Sequence, residues 1–209
     1  MSPTQPPSAS TPPDPTIAQA KREARAQVRA ARRTRGSWAP DDPRRTAEAH
    51  AIARAVLAGG GSLVGEGTIV ASYVAWPSEP PTAALHDALT ARGARVIVPL
   101  VLPDMDLDWA PLEGGDPLGV AAIGAASLLV IPALRVDGWG TRLGQGGGCY
   151  DRALARRSPG APVVALIDDD GLVERVPAEA HDARVDAVVG PTMAWTALPL
   201  PADRLRKSL

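Results

Sequence analysis

Short apolar runs rich in β-branched residues recur along the middle of the chain, and helix-like stretches lie between them. The runs of strand length cover residues 68–75, 94–102, 127–134 and 162–168. The first two are separated by the helix-like segment TAALHDALTARG. An alternation of strand, helix and strand favours a parallel sheet that is covered by helices. A final strand is predicted in VDAVVG.

Two helices are predicted before the first strand. The first is basic and runs from Pro15 to about Arg35, with Thr16 as its N-cap and Gly36 as its stop. The second runs through PRRTAEAHAIARAVLAG, and the later stretch LPDMDLDWAPLEGGDPLG is expected to hold a small strand pair. We therefore predict a single α/β domain over residues 16–209. Its mostly parallel sheet of about five or six strands is flanked by helices in a Rossmann-like three-layer architecture.

Composition and charge exclude several classes of protein. The Pro/Ser/Thr-rich residues 1–15 are predicted to be a disordered tail that lacks the basic and apolar regions of a signal peptide. No apolar run approaches the roughly 18 to 20 residues needed to span a bilayer. The formal net charge of −1 gives no reason to expect binding to nucleic acid or to anionic membranes. Cys149 is the only cysteine, which excludes an intramolecular disulfide and a Cys-based zinc site. We expect a cytoplasmic protein.

Four glycines fall within five residues of TRLGQGGGCYDRALAR, between a predicted strand and a predicted helix. Backbone N–H groups and a helix N-terminus at such a junction favour phosphate oxygens. Arg142 and Arg152 flank the loop with guanidinium groups that match phosphate geometry. A flexible loop without a ligand is the ordinary alternative.

Three familiar motifs do not fit this loop. A P-loop requires a lysine after its glycines, a dinucleotide-binding fingerprint requires a different glycine spacing, and a nucleophile elbow requires a serine in the Gly-x-Ser-x-Gly frame. None of these is present in the segment. The loop therefore predicts a phosphate cradle of another kind.

The longer segment LLVIPALRVDGWGTRLGQGGGCYDRALAR resembles the signature of the 5-formyltetrahydrofolate cyclo-ligases, also called methenyltetrahydrofolate synthetases. Three further segments match in the right order: KREAR, SYVAWPSEPPT and HDARVDAVV. The resemblance covers roughly residues 20–190. It implies closure of 5-formyltetrahydrofolate to 5,10-methenyltetrahydrofolate with ATP and Mg²⁺, through a phosphorylated formyl intermediate, with release of ADP and phosphate. In such chemistry the protein mainly positions groups and neutralises charge, so no single catalytic residue is assigned.

The resemblance implies an ATP site on the first helix and in the glycine loop. Its residues would be Lys21, Arg22, Arg25, Arg142, Gly144, Gln145, Gly146, Gly147, Gly148, Cys149 and Tyr150. Without the resemblance, the basic residues of the first helix would be interpreted as a solvated face. Arg29, Arg32 and Arg33 are expected to be solvated charges.

The resemblance also implies a substrate site and a metal site. Glu79, Val74 and Tyr150 would bind the folate, although Val74 on a strand and Glu79 in a turn also have ordinary structural explanations. Asp151 and Asp186 would be the Mg²⁺ ligands. Strand carboxyl ends and helix starts meet at one sheet edge, so both carboxylates are expected to share one cation, while an N-cap is the alternative role for Asp151.

Other parts of the motif carry weaker implications. His181 and Asp182 are expected to be structural. Gln145, Gly147 and Cys149 replace the aromatic or basic residues of many family members, and PLGVAAIGAA stands where the family has Gly-x-x-Glu-Pro. These departures bear on the affinity for ATP and folate.

The partners implied are ATP and 5-formyltetrahydrofolate, with polyglutamylated forms left open, for a protein expected to be a monomer. Two alternatives remain. One is an ATP-using relative that acts on another N-formyl or amide substrate, and the other is a non-catalytic binding protein on the same scaffold. The presence of Arg142, Asp151 and Asp186 favours an enzyme over a binding protein.

Overall fold

The computed structural model describes residues 14–36, 39, 42–179 and 182–201. Residues 1–13, which make up most of the predicted tail, lie outside the described residues. Within the described ranges, no helix is long and apolar enough to cross a membrane.

Local capping signals set the starts of the first two helices. The α-helices are α1 (Pro15–Gly36), α2 (Pro43–Gly60), α3 (Ala83–Thr90) and α4 (Cys149–Leu154). Asp14, and not the predicted Thr16, caps α1, because its Oδ1 accepts from the Thr16 backbone N–H at 2.8 Å. Asp42 caps α2 in the same way through the backbone N–H of Arg44 at 2.9 Å. Both carboxylates satisfy N–H groups that the first helical turn leaves without a partner.

The strands form a seven-stranded sheet and a three-stranded sheet in the described part of the chain. In chain order the strands are β1 (Ile69–Ala71), β2 (Arg95–Val101), β3 (Leu107–Pro111), β4 (Leu128–Pro132), β5 (Arg135–Asp137), β6 (Arg142–Leu143), β7 (Val163–Leu166), β8 (Leu172–Val173), β9 (Ala187–Val189) and β10 (Thr196–Ala197). The large sheet has the order β10-β9-β7-β4-β1-β2-β3, and the small sheet has the order β6-β5-β8. Five neighbouring strands of the large sheet, from β9 to β2, are parallel, and β10 and β3 add antiparallel edges.

The strand order reverses between β1 and β4. From β1 the chain crosses to β2 on one side, whereas the later strands β4, β7 and β9 are added on the other side. Such a reversal leaves a crevice at the carboxyl ends of the two central strands, where open α/β sheets bind ligands. The topology therefore indicates where a site would lie before any side chain is considered.

Both faces of the large sheet are covered, as the continuous apolar runs predict. On one face, Leu128 and Val130 of β4 belong to the same buried cluster as residues of α2 and α3. On the other face, Leu129 and Ile131 pack with residues of α4 and with the 3₁₀ helix Val120–Ala125. The predicted three-layer α/β architecture is confirmed.

Some predicted elements differ from the observed ones. The apolar run 68–75 forms a strand only over β1. The segment 102–119, predicted to hold a small strand pair, contributes one strand, β3, which pairs with β2 and not with a second strand of its own. The strand β9 is followed by β10, so it is not the last. The glycine loop does not follow a strand of the large sheet directly, because β5 and β6 stand between β4 and the loop.

Candidate active site

A cavity of about 760 Å³ opens at the point where the strand order reverses. Its lining includes Pro132 at the end of β4 and Tyr73 just after β1. Parts of α1 and of the glycine loop, residues 144–148, also line it. The cavity thus lies at the place where open α/β sheets bind ligands.

At two positions of the glycine loop an arginine side chain lies close to the bare Cα. A Cβ on Gly144 would lie 2.6 Å from Nη1 of Arg142, so that guanidinium would have to shift. Gly146 has a φ of 108°, which side chains rarely adopt. A Cβ there would also lie 3.2 Å from Cζ of Arg25. The glycines therefore allow two cations to approach the loop backbone.

The remaining loop residues predicted from the resemblance also line the cavity. They are Gln145, Gly147, Gly148, Cys149 and Tyr150.

Lys21 of α1 lies in the cavity wall, where it contacts two carboxylates from the far end of the chain. Its Nζ lies 2.7 Å from Oε2 of Glu179 and 2.7 Å from Oδ2 of Asp182. Burial acts to lower the pKa of Lys21, but the hydrogen bonds and charges of Asp182 and Glu179 outweigh it, and the pKa is raised. The ammonium group is therefore charged, and carboxylates neutralise it in the absence of a ligand.

Two arginines of α1 hold the glycine loop. Nε of Arg25 donates to the carbonyl oxygen of Gly144 at 2.9 Å, and Nη2 of Arg29 donates to the carbonyl oxygen of Gln145 at 2.9 Å. Arg22 is exposed and lines the cavity with Arg25. The first helix is thus docked on the loop by its basic face, and Arg29 is not merely a solvated charge.

Arg142 is the most deeply placed cation of the site. Its side chain is 4% exposed, and its Nη2 donates to Oδ1 of Asp151 at 2.6 Å. Its Nε is buried without a hydrogen-bond partner among the described residues. Its Cζ lies 5.9 Å from the centre of the Tyr150 ring, within the range of a cation–π contact. A buried cation with an unused donor can bind an anion that enters the cavity.

Glu79 is buried in the turn that follows β1. Its Oε2 accepts from the backbone N–H of Trp76 at 3.0 Å. Desolvation raises the pKa of Glu79, although this hydrogen bond and the charge of Arg32 act in the opposite direction. Val74 lines the same part of the cavity with its side chain exposed, so it does not belong to the core. The turn therefore presents one buried carboxyl group to the cavity.

The structure does not bring Asp186 into the cavity with Asp151. Asp151 lines the cavity, whereas Oδ2 of Asp186 accepts from the backbone N–H of Val163 at 2.8 Å. Asp186 directly precedes β9, and Val163 begins β7, so this bond lies at the amino ends of the parallel strands. The expected convergence of the two aspartates is wrong, because only carboxyl ends face the crevice. His181 lies outside the described residues.

Sequence reasoning missed the roles of Asp182 and Glu179 as partners of Lys21 and the burial of Arg32. Arg32 was expected to be solvated, yet it is 6% exposed and its Nε lies 2.7 Å from Oδ2 of Asp168. A signal for this was present, since Arg32 lies eleven residues after Lys21 and so falls close to the same helix face. For Asp182 and Glu179, only the match at HDARVDAVV pointed to this part of the chain.

A metal site made by protein groups alone is not apparent. Among the described residues, no group of three or more His, Cys, Asp or Glu side chains could hold a metal ion. Mg²⁺ is commonly bound by one or two carboxylates together with substrate phosphates, so a smaller donor set can suffice. Asp151 fits that requirement by position.

Comparison with known proteins identifies relatives of this chain. The model of the 5-formyltetrahydrofolate cyclo-ligase family matches residues 17–191. The 5-formyltetrahydrofolate cyclo-ligase of Mycolicibacterium smegmatis is 36% identical over 151 residues, which are 63% of this chain and 78% of that protein. The enzyme of the same name from Escherichia coli is 30% identical over 144 residues, 60% of this chain and 79% of that protein.

Two solved structures share the fold. The 5,10-methenyltetrahydrofolate synthetase of Mycoplasma pneumoniae superimposes with a TM-score of 0.65 at 18% identity, covering 81% of this chain and 97% of that one. That of Aquifex aeolicus gives a TM-score of 0.66 at 20% identity, covering 87% and 94%. The family match spans the first helix, the whole parallel part of the sheet and the glycine loop. This chain belongs to the 5-formyltetrahydrofolate cyclo-ligase family.

Proposed function

We propose that this protein closes 5-formyltetrahydrofolate to 5,10-methenyltetrahydrofolate with ATP and Mg²⁺, releasing ADP and phosphate. The observation that carries the proposal is the lining of one cavity. The glycine loop and the basic side chains of Lys21, Arg25 and Arg142 line it together with the buried carboxyl group of Glu79. The carboxylates that pair with Lys21 and Arg142 line it as well. The loop backbone and the guanidinium groups suit phosphate, and the carboxyl group of Glu79 suits the N–H groups of a flat heterocycle.

In the proposed reaction, the terminal phosphoryl group of ATP moves to the formyl oxygen, and ADP leaves. The neighbouring amine nitrogen of the folate then attacks the formyl carbon and loses its proton. A C–N bond forms, and phosphate leaves with the former formyl oxygen. Arg142 would neutralise charge on the transferred group, while Arg25 and the glycine loop would hold the phosphates in line with the acceptor.

On the folate side, Glu79 would accept hydrogen bonds from the amino and ring N–H groups of the pterin. Tyr150 and Val74 line the cavity as well and would contact the ring system. Binding at Glu79 would orient the formyl group toward the phosphates. The monomeric state and the use of polyglutamylated substrate remain predictions.

For Mg²⁺, Asp151 would be a ligand together with phosphate oxygens. In the described part of the chain, both hydrogen bonds of Asp151 use Oδ1, from Arg142 and from the backbone N–H of Ala183. Oδ2 is therefore the atom suited to a cation. When bound, Mg²⁺ supplies positive charge to the phosphates during transfer.

The test is the appearance of methenyltetrahydrofolate absorbance with purified protein. We expect product only when ATP and Mg²⁺ are both present. ADP release is followed in parallel, with and without 5-formyltetrahydrofolate. ADP without methenyl product would indicate another substrate, and neither product from verified folded protein would indicate a binding protein and contradict the proposal.

A further inference from the structure

Aromatic side chains are scarce in this chain, which has two tyrosines, five tryptophans and no phenylalanine. Both tyrosines, Tyr73 and Tyr150, line the cavity, and so does Trp76. Aromatic rings offer a large, rigid contact area for another ring. Three of the seven aromatic side chains therefore line one cavity.

Trp76 differs from the other described tryptophans in having its indole exposed. The side chain of Trp109 is fully buried, that of Trp139 lies under the guanidinium of Arg175 at 4.3 Å, and Trp195 packs against a core cluster. Trp76 is 73% exposed although it lines the cavity. An exposed indole beside a cavity is suited to covering a ligand.

The backbone around Trp76 is fixed even though the indole is exposed. The backbone N–H of Trp76 donates to Oε2 of Glu79 at 3.0 Å, and the backbone N–H of Glu79 donates to the carbonyl oxygen of Trp76 at 2.9 Å. Tyr73 anchors the same turn, since its hydroxyl donates to the carbonyl oxygen of Pro80 at 3.0 Å. The turn that carries the indole therefore also carries the carboxylate that, in the proposed function, binds the pterin.

We propose that Trp76 is a specificity-determining residue that stacks on the substrate's second aromatic ring, the aminobenzoyl ring that follows the pterin. This inference rests on the proposed function. With the pterin bound at the buried Glu79, the remainder of the substrate would extend toward the exposed part of the cavity lining. Trp76, Val74 and Val101 are the large exposed apolar side chains of that lining. Trp76 alone among them offers a ring face.

The experiment compares Trp76→Ala with Trp76→Phe. Alanine keeps the backbone N–H bond to Glu79 and removes only the exposed indole, so the fold is expected to survive. We expect Trp76→Ala to raise KM for 5-formyltetrahydrofolate roughly tenfold with kcat nearly unchanged. Trp76→Phe should restore most of the affinity. Trp139→Phe, outside the cavity, is the matched control for loss of a tryptophan.

A second ligand separates stacking from pterin binding. A 5-formyl tetrahydropterin without the aminobenzoylglutamate should inhibit wild type and Trp76→Ala equally. Binding of 5-formyltetrahydrofolate without ATP should quench wild-type tryptophan fluorescence, and Trp76→Phe should lose that quenching while Trp139→Phe retains it. The inference would be overturned if Trp76→Ala left KM for 5-formyltetrahydrofolate unchanged, or if it weakened binding of the tetrahydropterin fragment as much as binding of the whole substrate. Undiminished fluorescence quenching in Trp76→Phe would overturn it as well. Wild-type turnover tests the proposed function separately, so failure of the two ideas can be told apart.

Discussion

At the residue scale, two aspartates of similar appearance in the sequence have different surroundings. Asp151 sits in the cavity against a buried arginine, whereas Asp186 joins the amino ends of two strands. Both carboxylates accept backbone N–H groups, but only that of Asp151 lies where ATP would bind. The two roles therefore depend on position in the fold: the helix start at Asp151 borders the cavity, whereas the amino end of β9 does not.

We expect Asp151→Asn to raise the Mg²⁺ concentration needed for half-maximal activity roughly tenfold or more, because the amide removes the charge of a metal ligand. Asp186→Asn is the matched control and should leave the Mg²⁺ titration unchanged. Asp186→Ala should lower the free energy of unfolding by about 1 kcal/mol, since Val163 loses a hydrogen-bond acceptor.

Thermal unfolding of Asp151→Asn, measured alongside its Mg²⁺ titration, shows how much stability is lost when Arg142 faces a neutral side chain. Equal shifts of the Mg²⁺ titration in Asp151→Asn and Asp186→Asn would support a shared cation and contradict the division of roles. A normal titration for Asp151→Asn would remove Asp151 from the metal site.

At the element scale, the sequence predicted the helices better than the strands. The starts of α1 and α2 follow from Asp and Pro residues that act within one turn, so local sequence was enough to place both helices, although Thr16 was predicted as the cap of α1 in place of Asp14. The run 68–75 continues beyond β1 because Tyr73 and Val74 face the cavity, and apolar composition does not distinguish a core contact from a ligand contact. Pairing of β3 with β2 depends on neighbours that only the folded chain supplies.

The contacts that hold α1 against the rest of the protein could not be predicted from local sequence for the same reason. Arg32 bonds to Asp168 and to the carbonyl oxygen of Ala133 at 3.0 Å, partners more than 100 positions away. These two residues follow β7 and β4, so Arg32 ties α1 to the carboxyl edge of the sheet beside the cavity. The basic helix identified from KREAR thus has a docked face as well as an exposed face.

We expect Arg32→Met to lower the free energy of unfolding by about 3 kcal/mol, because the carboxylate of Asp168 loses its buried ion pair with Arg32. The double variant Arg32→Met/Asp168→Leu should recover much of that loss, since the desolvation cost of both members of the pair is then removed. Urea unfolding of the single and double variants measures both effects. Arg33→Met, an exposed position one residue further, is the control and should change stability little. Additive losses in the double variant would show that the pair is not coupled.

At the scale of the whole molecule, the site depends on contacts between the two ends of the chain. Lys21 bonds to Glu179 and Asp182 across separations of 158 and 161 residues. The cavity lies where the strand order reverses, so its walls come from both halves of the sheet. Conditions that loosen the global fold are therefore expected to disassemble the site.

Acid sensitivity of the global fold is expected from one buried histidine. His86 of α3 is 6% exposed, and its Nε2 lies 2.9 Å from Oγ of Ser72, just after β1. Burial lowers the pKa of His86 from 6.5 to about 4, against a smaller opposing effect of Asp87. The unfolded chain therefore binds the proton more readily than the folded protein does. Above about pH 6.5 the free energy of unfolding does not change through His86, and it decreases as the pH falls from 6.5 toward 4. Glu79 acts in the opposite sense, because its pKa is raised by burial and its protonation therefore favours the folded state.

We expect the wild-type free energy of unfolding to lose about 2 kcal/mol through His86 between about pH 7.5 and pH 5. In His86→Gln, the amide can still bond to Ser72 but takes up no proton, so the variant should lose correspondingly less over this interval. His50→Gln, at an exposed position of α2, is the matched control and should follow the wild type. Urea unfolding at several pH values gives the slope for each protein. Because Glu79 is present in all three, its opposite contribution cancels in the comparison, and equal slopes for His86→Gln and wild type would show that proton uptake by His86 does not govern acid stability.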